Sequence, residues 1–283
     1  MSKDLTLLET WKEARRRLEV VGVDTPVLDA RMLVEMGAGV ERIEILTDPY
    51  RAIPAEAWEQ IEALLKRREA REPMSHIVGK RAFWKHDFVT TPSVLTPRPE
   101  TEALVRLAVD VTTPDQELDV LDLGVGSGAI LLSVLHEREG ARGLGLDHSI
   151  EAIAVAQANA EQLGLIGRTR FHHGQWEAAD GAYDLVLSNP PYIRSNDIPL
   201  LEPEVFRYEP HLALDGGVDG LDAYRRITAI LPSLLKPGGV YALELGFGQA
   251  EAVWALLDDA GLPPSEVIKD LQEIPRVVWG RGG

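Results

Sequence analysis

The chain contains no cysteine, which excludes a disulfide framework, thiolate-held metals and a cysteine nucleophile. It has no apolar run long enough to span a bilayer. Its opening, Met1-Ser2-Lys3-Asp4-Leu5, lacks the basic-then-apolar pattern of a signal peptide, so a cytoplasmic protein is expected. Basic residues are in short supply, with 29 Lys and Arg against 45 Asp and Glu and a formal net charge of −16. General nucleic-acid binding rests on phosphate neutralisation, so this balance argues against direct nucleic-acid contact. Arg15-Arg16-Arg17 and Lys66-Arg67-Arg68 are local exceptions, and both read as solvated helix faces. An acidic surface better suits a basic protein partner. There is no internal repeat and no low-complexity tract. What remains is ordinary soluble-protein composition over 283 residues, enough for one large domain or two smaller ones.

Residues 5–21, 28–36 and 55–71 carry apolar side chains at helical spacing, interrupted by Gly37, Gly39, Pro49 and Pro54. They predict a helical domain over 1–72, without a catalytic or metal cluster. Residues 73–96 read as a linker in which Phe83-Trp84 and Phe88-Val89-Thr90 flank a hairpin turn at Lys85-His86-Asp87. From 97 to 283 strands and helices alternate, predicting an α/β domain with seven strands, the last two an edge hairpin. His76 and His86 stand alone and His172-His173 has no third ligand nearby, so no metal site is expected.

Two stretches of this domain carry chemistry. Strand Leu118–Leu123 runs into Gly124-Val125-Gly126-Ser127-Gly128 before the helix 129–137. Glycines there let the backbone approach a ligand, and the helix start offers free N–H groups. The next strand ends on Asp147, placed to accept hydrogen bonds from ribose hydroxyls. Gly-x-Gly-x-Gly departs from the dinucleotide fingerprint Gly-x-Gly-x-x-Gly, which points to S-adenosylmethionine as cofactor. Trp176 follows the third strand, where it is either core or a face for adenine. The second stretch, Ser188-Asn189-Pro190-Pro191-Tyr192, stops the strand 183–187 at once. It reads either as a rigid turn or as a site for a planar amino group. In the latter reading the Asn189 side-chain carbonyl and the Pro190 backbone carbonyl hold two amide hydrogens, with Tyr192 as an aromatic wall. Residues 194–209, polar and Pro-punctuated, are long enough for a lid or substrate loop.

The set of motifs resembles the glutamine methyltransferases of peptide-chain release factors. The likeness rests on residues 72–79, Val94–Glu102, Asp122–Ile130, Ser188–Ile193, Tyr208-Glu209-Pro210, Leu212–Gly217 and Leu235–Gly239. It implies a seven-stranded, Rossmann-like class I methyltransferase domain behind a partner-binding helical domain. It also implies that Gly124, Val125, Gly126, Ser127 and Gly128 line the methionine end of S-adenosylmethionine. Asp147 takes the ribose, Trp176 flanks adenine, and Asn189, Pro190, Pro191 and Tyr192 hold the glutamine of a Gly-Gly-Gln loop, with Asn189 also near the cofactor. Departures are Thr96 in place of an aliphatic residue, Gln175 in place of an acid, and a tail stretch, Asp270–Arg276, without the usual glycine. The expected reaction is direct methyl transfer to the glutamine amide nitrogen, with no general base evident, by a protein expected to be monomeric. The same motif would also serve a ribosomal-protein glutamine or an adenine amino group, and a non-catalytic adaptor is the alternative of another class.

Overall fold

The computed structural model describes residues 5–283, which divide into two compact units. The first comprises the chain up to Val78 together with Pro203–Tyr208. Its helices are α1 (Leu7–Val20), α2 (Pro26–Ala38), α3 (Arg42–Thr47), α4 (Ala55–Glu69) and α5 (Met74–Val78). α1 starts where Thr6 and Glu9 close a capping box, each side chain accepting from the other's backbone N–H. α2 starts on Pro26 and stops at Gly39, which adopts the left-handed conformation. Leu7, Ala14 and Leu18 face Ala30, Leu33, Val34, Ile61 and Leu65, all fully buried. At Gly37 a Cβ would stand 2.5 Å from the Ile61 side chain, so glycine permits α2 to lie against α4.

The two arginine clusters are not simply solvated faces, which corrects that expectation. Arg17 reaches both Glu62 (2.6 Å) and Glu69 (2.6 Å). Arg68 is buried between Asp29 (2.7 Å) and Glu204 (2.8 Å), and Arg71 pairs with Glu204 at 2.6 Å. A buried guanidinium needs such partners, because its five donors are costly to leave unmade.

The second unit holds Gly79–Glu202 and Glu209–Gly283. It opens with the hairpin β1 (Lys80–Phe83) and β2 (His86–Val89), followed by α6 (Glu102–Asp110), β3 (Asp119–Leu123), α7 (Ala129–Glu137), β4 (Arg142–Asp147) and α8 (Ile150–Gln162). Then come β5 (Thr169–His173), β6 (Tyr183–Ser188), the short helix α9 (Pro203–Tyr208) already counted with the first unit, and α10 (Asp222–Leu234). β7 (Leu235–Glu244), α11 (Ala250–Asp259), β8 (Pro264–Lys269) and β9 (Pro275–Arg281) complete the chain. The seven-stranded sheet runs β5-β4-β3-β6-β7-β9-β8, with β9 antiparallel to both its neighbours and the other contacts parallel. The expected edge hairpin is thus present. Strand residues alternate between two cores: Val120, Leu185, Leu187, Val240 and Ala242 pack with α6, α7 and α8, whereas Leu121, Leu123, Val186, Tyr241 and Leu243 pack with α10 and α11.

Two expectations are corrected. The β1–β2 turn falls at Trp84-Lys85, because Trp84 takes a positive φ of 54° and is held there by two acids. Its backbone N–H donates to Glu102 (2.8 Å) and its indole N–H to Glu137 (2.7 Å). The stretch 194–209 is not all loop, since α9 lies within it. No helix among the described residues is long and apolar enough to cross a membrane.

Candidate active site

In an open α/β sheet the ligand crevice lies beyond the strand ends where the order reverses. Here β3 has β4 on one side and β6 on the other, so the glycine loop after β3 and Asn189 after β6 share that position. A cavity of about 640 Å³ opens there, within the size range of ligand sites. Gly124, Val125, Gly126, Ser127, Asp147, Trp176, Asn189 and Pro191 line it. Gly128, Pro190 and Tyr192 are not in its lining. Gly128 caps α7 at φ 83°, where its missing Cβ clears Leu132.

The loop is anchored at both ends. The N–H groups of Gly124 and Val125 donate to the Leu146 carbonyl at 2.8 and 3.0 Å. Gly126 N–H donates to Asp147 Oδ2 and Ser149 N–H to Asp147 Oδ1, each at 2.9 Å. A carboxylate offers about four lone-pair positions, so Asp147 keeps acceptor capacity after binding both. Buried Asn159 steadies the loop from behind, donating to Ser127 O (2.8 Å) while it brackets the Val89 backbone of the hairpin. Asp122 is fully buried beneath the loop, with only the Leu131 backbone to favour its charge. Burial, reinforced by the nearby charge of Asp147, pushes that carboxyl up to about 7.

On the other side of the cavity, the Trp176 ring carries the Arg226 guanidinium 4.9 Å from its centroid, a cation–π contact. Gln175 accepts from Arg226 (2.7 Å) and shares a 2.7 Å hydrogen bond with His148 Nδ1. The amide thus has partners on both ends, in the place where a family acid is usual. Thr96 is satisfied as well: it is buried and hydrogen-bonds Glu209, which also holds Arg98 at 2.6 Å. Burial raises the Glu209 carboxyl, and Arg98 and Thr96 oppose that shift.

Asn189 stands at the mouth of β6, which Ser188 ties to β3 by donating to Leu123 O at 2.6 Å. The Asn189 amide nitrogen donates to Thr101 Oγ1 at 3.2 Å, which leaves its carbonyl oxygen as the free acceptor. The Tyr192 hydroxyl donates to Glu244 Oε1 at 3.3 Å, and its backbone carbonyl accepts from Gln249 Nε2 at 3.0 Å. Burial holds the Tyr192 phenol neutral, far above its ordinary range. Three glycines make this clasp possible. A Cβ on Gly216 would lie 2.8 Å from Tyr192 Cα, one on Gly220 2.5 Å from Tyr192 O, and one on Gly246 2.9 Å from the Tyr192 ring. Sequence reasoning passed over Thr101, Glu244 and Gln249, whose partners lie 88, 52 and 57 residues away.

Residues 9–79 match the PrmC N-terminal domain model and residues 114–253 a methyltransferase domain model. The chain is 49% identical over 278 residues to the release factor glutamine methyltransferase of Caulobacter vibrioides, covering 98% of this chain and 96% of that one. It is 47% identical over 266 residues to the protein of the same name in Rhodospirillum rubrum, covering 94% and 82%. In fold it is similar to a methyltransferase from Pyrococcus furiosus, with a TM-score of 0.52 at 17% identity, over 78% of this chain and 98% of that chain.

Proposed function

The chain belongs to the release factor glutamine methyltransferases, and from that premise we propose that it methylates the side-chain amide nitrogen of the glutamine in a release factor's Gly-Gly-Gln loop, with S-adenosylmethionine as donor. The observation that carries this reading is the polarity of Asn189: its nitrogen is engaged by Thr101, so an acceptor oxygen is what it offers at the cavity.

The residues present fit the donor. The cavity is large enough, Ala129 and Ile130 at the start of α7 line it, and Asp147 retains acceptors suited to ribose hydroxyls. Gly124 and the Trp176 indole both border the cavity, and a Cβ on Gly124 would stand 3.9 Å from Nε1. Gly124 to Gly128 would hold the methionine end and Trp176 the adenine. Bound there, S-adenosylmethionine supplies a methyl group already activated on a sulfonium sulfur.

An amide nitrogen is a poor nucleophile because its lone pair is delocalised into the carbonyl. The Asn189 side-chain oxygen and the Pro190 carbonyl accept the two amide hydrogens and fix the nitrogen's orientation, while Tyr192 covers the flat face of the group. Such alignment replaces chemical activation when the electrophile is strong. Pro190 is buried and Tyr192 is clasped by Gln249, so neither acceptor nor wall drifts. The helical unit contributes to grip on the release factor and not to chemistry. The protein acts as a cytoplasmic monomer, without direct nucleic-acid contact, in keeping with its acidic charge.

Incubation with labelled S-adenosylmethionine and a panel of release factor, ribosomal proteins and DNA tests the proposal. Label in the release factor is the expected result; label confined to ribosomal protein or DNA would replace this reading with one of those activities.

A further inference from the structure

Glu244 ends β7 beneath the Asn189–Tyr192 stretch, is 3% exposed, and has no part in the reaction as derived above. Its carboxyl meets both arms of that stretch. Oε1 accepts from the Tyr192 hydroxyl at 3.3 Å, and Thr101 lies close enough to the same carboxyl to favour its charged form. Oε2 has no partner among the described residues. Thr101 in turn accepts from the Asn189 amide nitrogen.

A hydroxyl has a single hydrogen to give. An ionised carboxylate beside Thr101 draws that hydrogen, which leaves Thr101 only lone pairs for Asn189 and selects the NH2 end of its amide. The carbonyl end then faces the opposite way. Were Thr101 free to turn its hydrogen toward Asn189, the amide would reverse and present donors to a substrate group that itself has only donors. We propose that Glu244 is a positioning residue that sets the polarity of the Asn189 amide through Thr101 and the stance of the Tyr192 ring through its hydroxyl. The proposal rests on the glutamine-methylating reading given above.

The relay works when Glu244 is ionised and acts only as an acceptor. Burial pushes the carboxyl up to about 7, with Thr101, Tyr192 and Arg276 opposing the shift and Glu100 adding to it. The groups facing it are Tyr192 after β6, Tyr224 on α10 (whose hydroxyl donates to the Glu244 backbone carbonyl at 2.7 Å), Arg276 on β9 and Glu100 before α6. Burial keeps both phenols neutral throughout the working range, which leaves the carboxyl as the group that titrates near neutrality. Protonated, Glu244 gains a hydrogen to donate and no longer dictates where Thr101 sends its own.

The test is the pH dependence of single-turnover methyl transfer to intact release factor, for wild type, Glu244→Gln and Thr101→Val, with cofactor affinity measured by calorimetry. The wild-type rate should rise as pH increases through about 7 and then level off. Both variants should transfer about tenfold or more slowly and lose that inflection, while binding S-adenosylmethionine as wild type does. Glu244→Gln should also remain at least as stable as wild type above neutrality, since it removes a buried charge. Thr101→Val, which leaves the carboxylate in place, decides the matter should Glu244→Gln fold poorly. Variants that keep the wild-type rate and pH profile would overturn the proposal while leaving the functional reading intact. A wild type that binds cofactor but does not methylate release factor would overturn both.

Discussion

At the scale of single residues, Asn189 is the clearest case, since Thr101 engages its nitrogen and leaves its oxygen to accept. Asn189→Ala removes one acceptor and strands a substrate N–H in a closed site. The expected cost is about 1–3 kcal/mol, or one to two orders of magnitude in single-turnover rate, with cofactor affinity largely kept. Asp122 is the opposite case, a fully buried carboxyl with little to hold its charge. Its ordinary value is 3.8 and burial raises it to about 7 in the folded chain. Between those values the native state binds a proton that the unfolded chain has released, so its contribution to stability declines as pH rises through that window. Asp122→Asn should therefore gain in melting temperature relative to wild type as pH increases from about 4 to about 8, as thermal denaturation of the two proteins would report. Asn189 and Asp147, which line the cavity, were legible in the sequence because strand ends and turn chemistry mark them locally. Glu244, Thr101 and Gln249 were not, because the partners that give them meaning arrive from distant strands and helices.

At the scale of elements, the strand–helix alternation was readable because apolar runs and glycine breaks have a fixed period, and all seven strands of the large sheet were found. Edges were less so. β7 begins at Leu235, through a register shift against β6 that admits Pro237 and Gly238. Lys236 secures that irregular start by bridging Asp119 and Asp184, each at 2.7 Å. No local pattern shows such a bridge. The loops around the Asn189–Tyr192 stretch depend in the same way on Gly216, whose added Cβ would meet only backbone: Tyr192 Cα at 2.8 Å and the carbonyls of Gly220 and Pro191 at 2.9 Å. Backbone yields less readily than a side chain. Gly216→Ala should thus shift the substrate-holding turn, slowing transfer about tenfold or more while calorimetry finds cofactor binding preserved.

At the scale of the whole molecule, the chain leaves its α/β unit after Glu202, contributes Pro203–Tyr208 to the helical unit and returns at Glu209. Glu204 joins Arg68 and Arg71 there, and the Tyr208 hydroxyl donates to Ala70 O at 2.8 Å. The sequence displays this segment as a polar loop, since nothing within it shows that its partners lie 133 to 138 residues earlier. What the whole assembly does is one reaction, the placing of a methyl group on one amide nitrogen. Mass spectrometry of an intact release factor after a single turnover, run beside a Gln→Glu version of its Gly-Gly-Gln loop, tests that claim most directly. A glutamate side chain has no N–H to give to the Asn189 and Pro190 oxygens and sets acceptor against acceptor. The account predicts one methyl group on the glutamine amide nitrogen and none on the glutamate version; methyl found at any other residue, or on both versions alike, would contradict it.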